Sequence, residues 1–437
     1  MTRVISAADA PPRTVSGRAR WRNVAVAALA VLAATVVGLL RQPGIGPLDT
    51  IWAEDGQVFL TEAARHNLFH ALATPYAGYY QLVPRLLAQL TTALPAGWAA
   101  AAFAIESALC TGLVMLLVYV ASGAHLRSTL SRVVVAAIVV VMPLANEIPD
   151  SIANLHWAGL YAMFWVLLWT PRGSAGAGAG PGGTAGRIVA AAVVLLVAGS
   201  DILVLIYLPL ALWQVRRQRD RHSIVLAGLL SLGVAVQLAG LVFGPSSRPL
   251  SPNPVPVVTG YVLRVVPSAL VGERWLGTDT HSTRWLALAA VAWLLLAAAA
   301  VVAWRRSTRP IWRLAILALL YSAGLYALPV VLQGIATPRY AAVPVMLLVT
   351  AIVAVFQPGS GSRVPLYALT ALLAVVCVAN LRVLDNSRGS GPRWSDSLQS
   401  ARITCQASPG GTASLLIPPR EAVPQWHARL PCRYVRR

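Results

Sequence analysis

The chain has 437 residues, 57% of them apolar and only 11% charged. Soluble domains carry about a quarter charged residues, so a water-soluble globular enzyme is excluded. All 35 basic residues are arginine and stand against 15 acids, a net charge of +20, while four cysteines supply neither a zinc module nor a disulfide-dense scaffold.

A helix needs about 20 apolar residues to cross a hydrocarbon core of about 30 Å. The first such run, 23–40, follows Arg3, Arg13, Arg18, Arg20 and Arg22 and precedes no small-residue cleavage site. It reads as a retained first span behind a cytoplasmic N-terminal tail, residues 1–22. Further runs fall at 98–122, 133–145, 157–170, 224–243, 285–304, 311–331, 341–356 and 364–381.

The segment 188–213 decides whether the topology closes. Arg187 precedes it and Arg216, Arg217, Arg219 and Arg221 follow it, so both ends face the cytoplasm. Gly199, Ser200 and Asp201 mark the break, and each arm of about 12 residues spans only about 18 Å as helix. We expect a shallow broken hairpin with Asp201 near its outer tip, surrounded by other helices and a wet cavity. One long helix is the alternative, and it inverts everything downstream. The expected fold is an all-α polytopic integral membrane protein with about eleven hydrophobic segments.

On this map the cytoplasmic segments are rich in arginine and poor in acids, as the positive-inside bias requires. The basic residues are spread over many short loops, which argues against nucleic acid as a partner. The transmembrane domain runs over 23–381, with large outer loops at 41–97 and 244–284, and an extracytoplasmic C-terminal module occupies 382–437. The longest inner segment, 171–186, is a linker rich in Gly, Ala and Ser.

The first outer loop is long enough to carry function. Residues 57–71 and 79–94 have the apolar spacing of amphipathic helices lying along the membrane surface. Ahead of them stand Glu54 and Asp55, between Trp52 and Gly56. Adjacent carboxylates at a helix entrance are placed to work as a base; the same residues also fit an ordinary helix N-cap. Farther on, Asn154, His156 and Trp157 open a span, where a phosphate or sugar contact and an interfacial aromatic belt are both open readings. Glu147 and Asp150, with Asp55, make a divalent cation (Mg or Mn) a conceivable cofactor. The second outer loop begins with closely spaced prolines, an extended segment over the outer surface, and continues into a stretch that fits a surface helix over the lipid-facing site or a structural lid. Glu106 stands inside the second span, either protonated, paired or facing a cavity. Cys405 and Cys432 lie outside, where a disulfide persists, with short strands expected around them at 414–417 and 426–430.

The acidic pair in the first large outer loop, the broken hairpin at Ala198-Gly199-Ser200-Asp201-Ile202, Pro75-Tyr76-Ala77-Gly78-Tyr79 with Pro84-Arg85, and Thr337-Pro338-Arg339-Tyr340 resemble segments of the GT-C superfamily of membrane glycosyltransferases. The resemblance extends to about Leu381. It implies an inverting transfer of a hexose or pentose from a polyprenyl-phosphate donor to an extracytoplasmic envelope glycan, lipid or protein. An outer-loop acid is then the general base, at Asp55 or Glu54, with Asp55 favoured. Arg85, Arg264, Arg274 and Arg339, with Tyr340, Asn154 and His156, are the candidates to meet donor or acceptor, since arginine suits phosphate through its bidentate fork. A transporter or flippase of lipid-linked glycans is the main rival, because a broken hairpin also suits a gated polar path. A non-catalytic assembly partner in the cell envelope is the other.

Overall fold

A computed structural model describes residues 17–144, 147–169, 183–244, 251–276, 282–305, 309–358, 363–382 and 387–437. The chain is a multi-pass membrane protein. Among the described residues six helices are long and apolar enough to cross a bilayer, and five shorter apolar helices accompany them.

Two helices form the axis of the bundle: α5 (Leu155–Leu168) and α11 (Ala342–Val355), numbered with the long helices in chain order. Nearly every side chain of both is buried, which is why they are apolar all round rather than on one stripe. Around them stand α1 (Gly17–Leu39), α3 (Ala99–Ser122), α4 (Thr129–Val141), α8 (Arg221–Phe243), α9 (Thr283–Arg305), α10 (Trp312–Gln333) and α12 (Val364–Ala379). The outer faces of α1 and α9 carry exposed Leu, Val and Trp, as lipid-facing helices do. Lipid tails are as apolar as leucine, so close packing has to hold such helices together. A Cβ on Gly233 of α8 would meet that of Ala198 at 2.4 Å, and one on Gly112 would meet the Val31 carbonyl at 3.1 Å.

The hairpin is present, but with a first arm of 16 residues it is deeper than the shallow one expected. Its first arm, α6 (Gly183–Ala198), rises to Gly199, turns through the 3-10 stretch Ile202–Tyr207 and returns as α7 (Leu208–Gln218). Asp201 caps the turn, its Oδ1 accepting from the Leu203 amide at 2.7 Å. The tip is tied to the first loop by the Leu82 amide, which donates to the Gly199 carbonyl (2.9 Å), and to α8 by Gln237, which donates to the Ala198 carbonyl (2.9 Å). The return arm reaches the other end of the bundle, where Gln214 donates to the Leu167 carbonyl at 3.1 Å. The linker expected at 171–186 lies mostly outside the described residues.

The first loop differs from expectation in one respect. The helix expected over 57–71 is three pieces: a π-helical turn Asp55–Leu60, then Thr61–Arg65 and Leu68–Ala73. Asn67 causes the break, its side chain accepting from the His70 amide and starting a new helix. The second expected helix is α2 (Leu82–Thr91), preceded by a tight turn at Tyr76–Tyr79 with Ala77 and Gly78 at positive φ. In the 244–284 loop, 251–253 has no regular secondary structure, Pro254 is already helical in its dihedrals, and the apolar stretch Val255–Leu270 packs its later residues into the core. Pro245 and Pro249 lie outside the described residues.

The C-terminal segment forms α13 (Trp394–Ala407) and a two-stranded antiparallel sheet, β1 (Thr412–Leu416) with β2 (His427–Pro431). The Cys405–Cys432 disulfide joins α13 to the end of β2. Ala413, Leu415, Ala428 and Leu430 point into a core shared with Ile51, Phe59 and Leu60 of the first loop. The module therefore rests directly on the segment that carries the acidic pair.

Candidate functional site

Five parts of the chain meet at one end of the bundle and enclose a polar chamber of about 130 Å³. They are the first loop, the entrance of α5, the hairpin tip, the end of α10 and the start of α11. Its wall includes Glu54, Asn154, His156, Asp201, Arg339 and Tyr340. Beside it, between α3, α5 and α6, runs an apolar groove of about 530 Å³ lined by residues such as Leu113, Leu117, Ala162 and Val193. His156 lines both spaces.

The π-helical turn aims the two adjacent carboxyl groups differently. Glu54 stands on the chamber wall and is half-buried. Asp55 lies behind it, 1% exposed, and its Oδ1 accepts from the Ala153 amide (2.9 Å) and the Ser151 hydroxyl (3.2 Å). Burial pushes the Asp55 carboxyl up to about 7, against the pull of the Ala153 amide and of Arg388. Asp55 thus ties the first loop to the segment 151–153, which leads into α5.

That segment is itself hydrogen-bonded throughout. Asn154 donates to the Glu147 carbonyl (2.9 Å) and the Ser151 hydroxyl (3.2 Å), and accepts from the Trp157 indole (3.3 Å). The His156 Nδ1 is 2.7 Å from the Ala153 carbonyl, a distance that assigns the Nδ1 proton to that bond. Its Nε2 then faces Asp201 Oδ2 at 3.8 Å, and its ring lies 4.3 Å from that of Trp157.

Arg339 reaches the chamber from the start of α11. It pairs with Glu147 at 3.1 Å and lies 5.7 Å from the Tyr340 ring. The other three arginines singled out in the sequence stand elsewhere. Arg85 is buried inside the first loop, paired with Glu62 and over the Phe59 ring. Arg264 stacks 5.3 Å from Trp285, and Arg274 donates to the Ala379 carbonyl at 3.2 Å. All three are held in structural contacts away from the chamber.

Glu147, Asp150 and Asp55 do not form a cation site. Glu147 is paired with Arg339, Asp55 is bonded to 151–153, and Asp150 faces a separate cavity of about 30 Å³ beside Arg41. Among the described residues no three His, Cys, Asp or Glu side chains converge as metal ligands do. Glu106 is paired instead with the Thr91 hydroxyl, which donates to it at 3.1 Å.

Several wall residues were not among the site candidates, although Tyr76 and Tyr79 lie in a segment that carries the resemblance. Gln81, Tyr76, Tyr79 and Gln333 line the chamber because of the turn at 76–79 and the end of α10. Asp201 was legible as a hairpin tip but not as the partner of His156, which lies 45 positions earlier in the sequence.

No protein-family model matches the chain, and no curated protein matches it in sequence. Among solved structures it is similar to the arabinofuranosyltransferase AftD from mycobacteria, seen by single-particle cryo-EM. The identity is 15% and the TM-score 0.47, over 91% of this chain and 29% of that one. The chain therefore spans under a third of the length of that structure.

Proposed function

We propose that this protein is a membrane glycosyltransferase of the GT-C kind, moving a sugar from a polyprenyl-phosphate donor to an envelope glycan, lipid or protein acceptor. One observation carries the reading. A polar chamber holding a half-buried carboxylate, an arginine and a histidine shares His156 with a neighbouring apolar groove. A sugar linked through phosphate to an isoprenoid has the same two halves. The groove takes the lipid, the chamber takes the sugar, and the phosphate sits at their junction.

In this reading Glu54 is the general base, because its carboxyl group reaches the chamber. It takes the proton of an acceptor hydroxyl as that oxygen forms a bond to the anomeric carbon. The bond from that carbon to the phosphate oxygen breaks on the opposite face, its electron pair leaves on the phosphate, and the configuration inverts. In this reading Arg339 donates to the phosphate as negative charge grows on it, joined by His156 Nε2 in the doubly protonated ring, and fixed donors there lower the barrier. Asp55 does not touch substrate but holds the loop that presents Glu54. The arginine distribution along the chain supports an extracytoplasmic chamber, a side on which a flipped lipid-linked sugar is available and a nucleotide sugar is not.

Proteoliposomes containing the purified protein and a radiolabelled polyprenyl-phosphate pentose or hexose, supplied with an envelope extract as acceptor, test the proposal. Label moving from the lipid to a water-soluble or glycan fraction supports transfer. Label that crosses leaflets while remaining on its lipid supports the transporter instead.

A further inference from the structure

Arg388 opens the C-terminal segment and is 2% exposed. Its Nε donates to the Thr50 hydroxyl (3.0 Å) and its Nη2 to the Thr50 carbonyl (3.1 Å). Its Nη1 donates to the carbonyls of Pro149 (3.2 Å) and Asp150 (2.9 Å). Thr50 lies just ahead of Glu54. Pro149 and Asp150 head the segment that supplies Asn154 and His156. One rigid planar group therefore bridges two stretches of backbone that build different parts of the chamber wall.

A buried guanidinium loses its hydration, and that loss is offset only by well-aligned partners. Arg388 has them, yet it is absent from the chamber wall, so contact with substrate does not account for it. Behind the same loop the C-terminal module adds further ties. The Ala53 amide donates to the Pro418 carbonyl (2.9 Å), the His427 amide to Gln57 Oε1 (3.1 Å) and the Arg429 amide to the Thr61 hydroxyl (3.0 Å). Ile417 presses on Gly56 so closely that a Cβ there would lie 2.6 Å from its Cδ1. These contacts hold residues on either side of Glu54, through the backbone at Ala53 and through side chains at Gln57 and Thr61.

We infer that Arg388 is a positioning residue: it fixes the Glu54 loop against the His156 segment, and so sets the geometry of transfer without touching substrate. The inference rests on the transferase reading above. The module that Arg388 heads is then part of the active-site scaffold. Lysine is not an equivalent, because a compact ammonium lacks the fork that spans Thr50 on one side and Pro149 with Asp150 on the other.

The test uses the full-length protein in nanodiscs with Arg388→Gln and Arg388→Lys. Two quantities are measured: kcat and KM for a polyprenyl-phosphate sugar, and backbone hydrogen exchange over 49–57 and 149–154. For Arg388→Gln we expect kcat to fall about a hundredfold, the scale of a misplacement of about 1 Å, with KM for the donor changed less than about twofold. Exchange should quicken in both segments and stay unchanged in α11. Arg388→Lys should fall between. Unchanged exchange in Arg388→Gln overturns the inference, as does faster exchange with wild-type kcat. If the glutamine variant fails to fold, shown by fast exchange in α11, the lysine variant carries the same test. A wild-type protein with no turnover on any lipid-linked sugar defeats the transferase reading alone, since the exchange measurement reads the clasp without turnover.

Discussion

The Nε2 of His156, at the entrance of α5, lies 3.8 Å from Oδ2 of Asp201 at the tip of the broken hairpin. This pair marks the junction between the polar chamber and the apolar groove. Asp201 has two tasks there, since its other oxygen caps the turn through the Leu203 amide.

The two tasks separate by mutation. Asp201→Asn keeps an oxygen for the cap and removes the charge facing His156; turnover should fall about tenfold while the melting temperature holds. Asp201→Ala also loses the cap, at about 1 kcal/mol, and should lower both. Wild-type melting temperature and wild-type turnover in both variants would show that neither task matters. Kinetics and thermal unfolding in the same detergent read both.

Asp55 and Asp150 make stability depend on pH. Burial raises each carboxyl to about 7, from an ordinary value near 4. The folded state therefore binds more protons than the unfolded chain between about pH 4 and pH 7, and stability falls as pH rises through that window. The melting temperature should drop from pH 5 to pH 8. Asp150→Asn, which has no charge to bury, should flatten the drop, and a slope as steep as the wild type would contradict this.

The groove should set lipid length. Val193 stands on its wall, and Val193→Trp fills part of it. KM for a long polyprenyl donor should rise about tenfold with kcat little changed, while a donor with a short isoprenoid chain should lose less. An equal loss for both chain lengths would place the lipid elsewhere.

The Cys405–Cys432 bond closes a span of 27 residues in a small module. Its removal should cost about 3 kcal/mol, read as a lower melting temperature after Cys432→Ser. Because the module backs the Glu54 loop, turnover should fall with it. Unchanged turnover at a temperature where the module has loosened would detach the module from the site.

Much of this architecture was legible in residue order. The arginines on both sides of 188–213, with Gly199 between them, force a fold-back, and the hairpin follows. Two cysteines in a polar tail made one bridge the simple reading. The chamber was legible only in part, because adjacent Glu54 and Asp55 carry the same local signal. Which of them faces the cavity is set by a π-helical turn whose register depends on Ile417 against Gly56 and on the Ala153 amide, partners far along the chain. Arg85 and Arg264 look in sequence like Arg339. Only packing distinguishes an arginine stacked on Phe59 or Trp285 from one that reaches the cavity.

The most direct test compares purified Glu54→Gln and Asp55→Asn with the wild type in sugar transfer from a polyprenyl-phosphate donor, with donor binding measured alongside. Loss of a general base costs about a hundredfold to ten-thousandfold in rate. The account predicts such a loss of kcat in Glu54→Gln with donor affinity intact, and a smaller loss in Asp55→Asn. Wild-type turnover in Glu54→Gln would contradict it.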